Sequence, residues 1–253
     1  MAEPVQRDLF GTNRRHLLSA TSLGLFSECP RCFYLERIRG LKRPQGPFPS
    51  LPGGMDLVIK AYFDLYRGQN RLPPELEGKL PGRLLPDQEL LNRWRRWTGP
   101  SNKTTGSLWY RDKNLGADLV GLLDDCLVDG ETYIPLDYKT RGYPPKENTS
   151  GYYQTQLDLY TLLLAENGYK TDRVAYLVYY WPREITQERQ VLFEVEPQRI
   201  STDPDRGLQI FQRAARLLQQ ENPPPRLPDC SFCQWSDLSA LPRPAGGRQA
   251  GQS

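Results

Sequence analysis

The sequence predicts an α/β fold, a mixed β-sheet flanked by helices, and three observations carry the prediction. Asp129-Gly130 is a strong two-residue hairpin signal set between runs of strand-forming residues at 117–128 and 131–139. Two further runs rich in β-branched and aromatic residues follow at 173–181 and 191–196. Helical periodicity marks 55–67, 152–167 and 204–220. At 253 residues the chain suits one sizeable domain.

Taken in order, residues 1–16 are polar and 241–253 are rich in Pro, Gly, Arg and Gln, so a flexible N-terminus and a disordered tail are expected on either side of a single domain at 17–240. Ser19 or Thr21 can cap a first helix running toward Cys29. Pro30 interrupts it, and a second stretch at 32–39 ends at Gly40. Pro44, Pro47, Pro49 and Pro52 make 41–52 an extended connection. The helix at 55–67 gathers Met55, Ile59, Tyr62, Phe63 and Tyr66 and closes at Gly68. Residues 69–103 are irregular apart from a short helix at 87–97 and are expected as an insertion or lid. A strand at 107–111 precedes the hairpin, Gly168 ends the helix at 152–167, and Leu208, Phe211, Ala215 and Leu218 line the closing helix.

Thirty-three Lys and Arg against thirty Asp and Glu leave a net charge of +3, so any polyanion site must rest on local patches. His16, the single histidine, sits in a polar N-terminal stretch, which removes Ser-His-Asp triads and multi-histidine metal sites from the expected chemistry. No apolar run approaches the roughly 20 residues of a membrane span, and residues 1–16 lack a signal peptide's apolar stretch, so a cytoplasmic protein without membrane partners is expected. Four of the five cysteines form two C-x-x-C pairs, which in a reducing compartment points to metal ligation.

With Asp129-Gly130 as the turn, Val128 pairs with Glu131, Asp124 with Pro135 and Leu122 with Asp137. Counting by twos sets Leu122, Asp124 and Cys126 on the face of Pro135, Asp137 and Lys139, while Asp125 points the other way. Asp124 and Asp137 are then diagonal neighbours, roughly 7 Å apart or less. That separation lets them share one divalent ion able to neutralise charge on a phosphodiester, with Lys139 within reach of the phosphate or the attacking water.

Gly121-Leu122-Leu123-Asp124 followed by Asp137-Tyr138-Lys139-Thr140 resembles the G-x-x-D and D-x-K-T motifs of the RecB-like PD-(D/E)XK nucleases, and Gln156-Leu157-Asp158-Leu159-Tyr160 is similar to their Q-x-x-x-Y. The resemblance implies a restriction-endonuclease-like core. It implies Mg²⁺ or Mn²⁺ held by Asp124, Asp137 and the main chain of Tyr138, with Lys139 at the nucleophile and Gln156 and Tyr160 shaping the site. Tyr160 also suits a core position. Family members add a His or Glu from an upstream helix; here Asp56 stands in that region, either as a metal ligand or as the i,i+4 partner of Lys60.

Cys29-x-x-Cys32 and Cys230-x-x-Cys233 lie on either side of these motifs and form a metal staple between the two ends of the domain. Some RecB-like nucleases, among them CRISPR adaptation nucleases and an AddB-type helicase–nuclease subunit, bind a [4Fe–4S] cluster through one early and three late cysteines. The likeness therefore implies [4Fe–4S], with Zn²⁺ the alternative for the two-and-two pattern here. A thioredoxin-like role is disfavoured because neither pair follows a strand of a βαβ unit. Cys126 suits a buried position.

Arg93-Trp94-Arg95-Arg96-Trp97 interleaves cations and aromatics as single-strand-binding grooves do, although Trp94 and Trp97 could instead pack inward. The expected function is hydrolysis of DNA, most specifically by a single-strand-preferring exonuclease in repair, recombination or CRISPR-type defence, with a helicase or CRISPR/repair protein as partner. The alternative is an inactive nucleic-acid-binding or structural subunit of a nuclease/helicase complex. No phosphate-binding G-x-x-x-x-G-K-[ST] loop occurs.

Overall fold

The structure, a computed structural model, describes residues 15–44, 46, 50–96 and 107–234. The tail at 241–253, Trp97 and all but the last two residues of the expected N-terminal segment lie outside the described residues. Two sheets organise the chain. The smaller has the order β1-β4-β3, with β1 (His16–Ser19), β3 (Leu108–Asp112) and β4 (Ala117–Gly121); the larger has the order β2-β5-β6-β7-β8, with β2 (Arg83–Leu84), β5 (Asp125–Asp129), β6 (Thr132–Thr140), β7 (Val174–Ile185) and β8 (Val191–Ser201). Both are mixed, since β1 runs parallel to β4 and β6 parallel to β7 while the other pairs are antiparallel.

The helices are α1 (Ala20–Glu28), α2 (Pro30–Arg39), α3 (Ser50–Gly68), α4 (Gln88–Trp94), α5 (Gln154–Glu166) and α6 (Pro204–Leu217). Ser19 caps α1 in a capping box with Ser22, and Gly40 closes α2 in the left-handed conformation at φ 68°. One apolar cluster joins Leu23, Phe33, Leu157, Leu163, Leu177 and Phe211, placing α1, α2, α5 and α6 on one face of the large sheet. On the other face Ile59 and Phe63 of α3 pack with Leu136, Tyr138 and Val178.

Several elements differ from expectation. The strand expected at 117–128 is two strands in different sheets, β4 and β5, with Leu122-Leu123-Asp124 as the crossing between them. Leu122 is therefore no partner of Asp137; it is 41% exposed. His16 begins a strand, and α3 starts at Ser50, inside the stretch expected to be extended. Pro52 fits because a proline in the first turn forfeits no intrahelical hydrogen bond. Residues 69–96 supply β2, α4 and the buried Leu72, Leu76, Leu80, Leu85 and Leu91.

The hairpin register is displaced by two residues. Asp129 pairs with Thr132 and Asp125 with Leu136, so the turn is Gly130-Glu131. The reason is conformational: Gly130 has φ 58° while neither neighbour has positive φ, which suits glycine at the first central position of a type II′ turn. A shift of two preserves side-chain parity, and continuing the register sets Asp124 directly opposite Asp137 rather than diagonal to it.

Two glycines fix how layers meet. A Cβ on Gly121 would lie 2.4 Å from Leu163 Cδ1, so a larger residue there would push the Leu163 side chain of α5 aside. At Gly82, where φ is +60°, a Cβ would lie 2.2 Å from the backbone oxygen of Val128. Gly82→Ala is expected to lower the urea-unfolding free energy by about 2 kcal/mol or more, through strain and a clash that backbone cannot relieve. Gly116→Ala, at the same φ but in open space, should cost about 1 kcal/mol.

Candidate active site

Asp137 and Lys139 stand on β6 with their side chains toward α5, because Leu177 and Tyr179, their parallel partners on β7, belong to the α5-side core. Asp137 is fully buried. Gln156 on α5 connects the constellation: its Nε2 donates to Asp137 Oδ1 at 2.9 Å and to the Tyr160 hydroxyl at 2.8 Å, and its Oε1 accepts from Lys139 Nζ at 3.4 Å. The i,i+4 spacing of Gln156 and Tyr160 puts both on one helix face. Lys139 Nζ also lies 2.5 Å from Asp137 Oδ2 and 4.6 Å from the centroid of the Tyr153 ring. The lysine contact is close but off the angle of a hydrogen bond, so Asp137 Oδ2 is buried with no hydrogen-bond partner.

Burial drives the Asp137 carboxyl up, Lys139 opposes this, Asp124 adds to it, and the result is a pKa of about 7. Tyr160 is pushed well above the ordinary phenol value by burial and then by Asp137 and Asp124, so it stays protonated. A buried carboxylate facing a second carboxylate, with one oxygen that meets the Lys139 ammonium but makes no hydrogen bond, fits a hard divalent cation. Asp124 and Asp137 are the side chains able to hold one here.

Asp124 is met from α3. Lys60 Nζ lies 2.8 Å from Asp124 Oδ1 and 2.8 Å from Asp56 Oδ2, so Asp56 is joined to the acidic pair through Lys60. Burial lowers the lysine's pKa, and Asp124 and Asp56 more than offset it, leaving the ammonium above its ordinary value.

Directly behind the site, Asp125 faces the opposite side of the sheet. Its Oδ2 accepts from Arg67 at 2.5 Å, from Arg95 at 3.3 Å and from the Tyr138 hydroxyl. Arg67 also donates to the Leu85 carbonyl at 2.7 Å, and Arg95 donates to the main-chain oxygen of Asp124 at 2.7 Å and to both oxygens of Asp64 at 3.0 and 2.7 Å. Of the two readings of the Arg93–Trp97 run, the inward one holds for Trp94. Trp94 is 1% exposed and packs edge-on against Tyr133 and Tyr169, where no base can reach it, and Arg95 is committed to the carboxylates. Arg96 is exposed, and Arg93 is half-buried without a carboxylate partner of this kind among the described residues.

Sequence reasoning did not assign Lys60, Arg67, Arg95 or Tyr153 to this neighbourhood. Lys60 carried one signal, its i,i+4 spacing from Asp56. The others reach it only by tertiary packing.

The family model of the PD-(D/E)XK nuclease superfamily matches residues 17–238. The chain belongs to the PD-(D/E)XK nuclease superfamily. Its members are nucleases that hydrolyse phosphodiester bonds with divalent metals. No curated protein matches the chain. The nuclease superfamily implies a nucleic-acid substrate, and among the described residues no helix is long and apolar enough to cross a membrane.

The Sγ atoms of Cys29, Cys32, Cys230 and Cys233 all lie within 4.8 Å of one another, so the two C-x-x-C pairs form one group compatible with a metal centre. All four are buried thiols rather than disulfides.

Replacing Arg67 by Met strips buried Asp125 of its closest cation and is expected to cost about 3 kcal/mol in urea unfolding. Arg71→Met removes a pair that is half-exposed at both ends, and should cost less than about 1 kcal/mol.

Proposed function

We propose that the chain is a divalent-metal-dependent deoxyribonuclease, in its most specific form a RecB-like, single-strand-preferring exonuclease of repair, recombination or CRISPR-type defence. The observation that carries the reading is Asp137: fully buried, opposite Asp124, with one oxygen fixed by Gln156 and the other lacking a hydrogen bond. Asp124, Asp137 and the main-chain carbonyl of Tyr138 would hold Mg²⁺ or Mn²⁺. When bound, the ion supplies charge neutralisation at the phosphodiester and lowers the pKa of water.

The protein's own groups do the positioning. Gln156 orients the Asp137 carboxylate and keeps Lys139 beside it, while the Tyr153 ring supports the ammonium from one side. Lys139 is thereby placed to stabilise charge on the phosphate and to orient the attacking water. Tyr160, protonated, fills the floor of the site. Lys60 holds Asp124 and Asp56 until a cation competes for Asp124.

Exposed aromatics support the single-strand preference. Tyr152 is 81% exposed and shares a cleft of about 190 Å³ with Gln156, and Tyr143, 59% exposed, lies 5.1 Å beneath the Arg141 guanidinium just past the end of β6. Rings beside cations suit stacked bases and a neutralised backbone. Arg93 and Arg96 are proposed as outlying phosphate contacts.

A second reading, an inactive binding subunit that needs a helicase or CRISPR/repair partner, is favoured by one observation: Lys60 already neutralises Asp124. The deciding assay uses labelled single- and double-stranded DNA with Mg²⁺ or Mn²⁺. The nuclease reading expects Asp137→Ala and Lys139→Ala each to lower the rate at least about 100-fold without unfolding the protein. A wild type inert on every substrate, yet retaining DNA binding, would establish the second reading.

The raised Asp137 pKa sets a pH dependence. Because the folded carboxyl holds its proton up to about pH 7, the metal-free protein loses stability as pH rises from the ordinary carboxyl range through about 7. A cation must displace that proton, so calorimetric Mn²⁺ affinity should rise between about pH 6 and about pH 8 and then level. Asp137→Asn should abolish the rise.

A further inference from the structure

Each thiolate of a [4Fe–4S] cluster binds a different iron on the outside of a bulky cage. The sulfurs must then stand well apart, with four irons and four sulfides between them. Here Cys29 Sγ and Cys233 Sγ are 3.7 Å apart, Cys32 Sγ and Cys230 Sγ 3.7 Å, and Cys32 Sγ and Cys233 Sγ 3.9 Å. No pair in the group exceeds 4.8 Å. Bonds of about 2.3 Å to one tetrahedral zinc place ligand sulfurs about 3.8 Å apart. The spacing is that of ligands around one ion, and it leaves no room for a cluster.

The surroundings agree. Cys29 is the N-cap of α2, and its Sγ accepts from the main-chain N–H of Cys32 at 3.5 Å, the next ligand of the same hook. Arg43 lies 3.7 Å from Cys230 Sγ, stacks over the Phe232 ring at 4.5 Å and pairs with Glu28 at 2.6 Å. A cation held there offsets the net negative charge of four thiolates on a divalent ion, and donors to sulfur fix ligand orientation. Between single ions, a given thiolate site binds zinc more tightly than ferrous iron.

We infer that Cys29, Cys32, Cys230 and Cys233 hold a single tetrahedral zinc ion, and not the [4Fe–4S] cluster that the resemblance to RecB-like nucleases implies. The inference is independent of whether the carboxylate site cuts DNA. It is tested on the full chain, expressed with both metals in the medium, purified without oxygen and dialysed against EDTA. Elemental analysis should find about one zinc per chain, with no iron, no acid-labile sulfide and no brown chromophore. Cys230→Ser should lose the zinc, whereas Cys126→Ser, whose thiol is buried elsewhere in the core, should keep it. Iron in any stoichiometry, a metal-free wild type or zinc unaffected by Cys230→Ser would overturn the inference. The wild-type analysis decides even if the serine variant does not fold.

Discussion

Asp125 is a carboxylate with no access to water, and the arrangement of the site depends on how its charge is met. Arg67 from α3 and Arg95 from just beyond α4 converge on it, with Tyr138 closing the third side. An ion buried this deeply persists only when its partners are in place. That requirement fixes α3 and the end of α4 relative to β5. Arg95 extends the constraint by one residue, since its Nε holds the main-chain oxygen of Asp124. The crossing from the small sheet to the large one is thereby pinned where the acidic pair needs Asp124. Two consecutive aspartates thus divide the labour: Asp125 anchors the strand from behind, and Asp124 faces Asp137.

The anchored strand explains how the site holds two carboxylates and two ammonium groups close together. Burial and the neighbouring Asp124 raise the proton affinity of Asp137. In a pliable scaffold the two carboxylates would separate. Here Gln156 restrains one, Lys60 the other, and the hairpin register holds their backbones opposite. Asp137 Oδ2, which meets the Lys139 ammonium but makes no hydrogen bond, is what remains after these restraints are satisfied.

Local chemistry made the order of motifs legible in the sequence, and side-chain parity made the facing of Asp124, Asp137 and Lys139 legible as well. An error of two residues in the register left parity untouched, which is why the face was right while the opposing pair was not. The division of 117–128 between two sheets was not legible, because Leu122, Leu123 and Asp124 join β4 to β5 without a proline or turn dipeptide and the run reads as one strand. Nor was β1, whose partner β4 lies about a hundred positions away. The Arg-Trp run misled for a related reason. A tryptophan flanked by arginines looks the same from sequence whether its ring faces a base or Tyr169, and only the packing of α4 separates the two.

The cysteine group and the carboxylate site belong to one mechanical unit. Cys29 sits between α1 and α2, and Cys230 and Cys233 follow a strand of chain that α2 already holds: Tyr34 donates toward the Gln220 and Glu221 carbonyls, and Arg31 donates to Pro224. Phe26 of α1 and Phe33 of α2 share an apolar core with Leu157 and Leu163 of α5. The helix that carries Gln156 and Tyr160 is thus backed by the two helices that the thiolates tie to the C-terminal segment. A metal held by the four cysteines would brace α1 and α2, and through them the helix that sets Gln156 against Asp137.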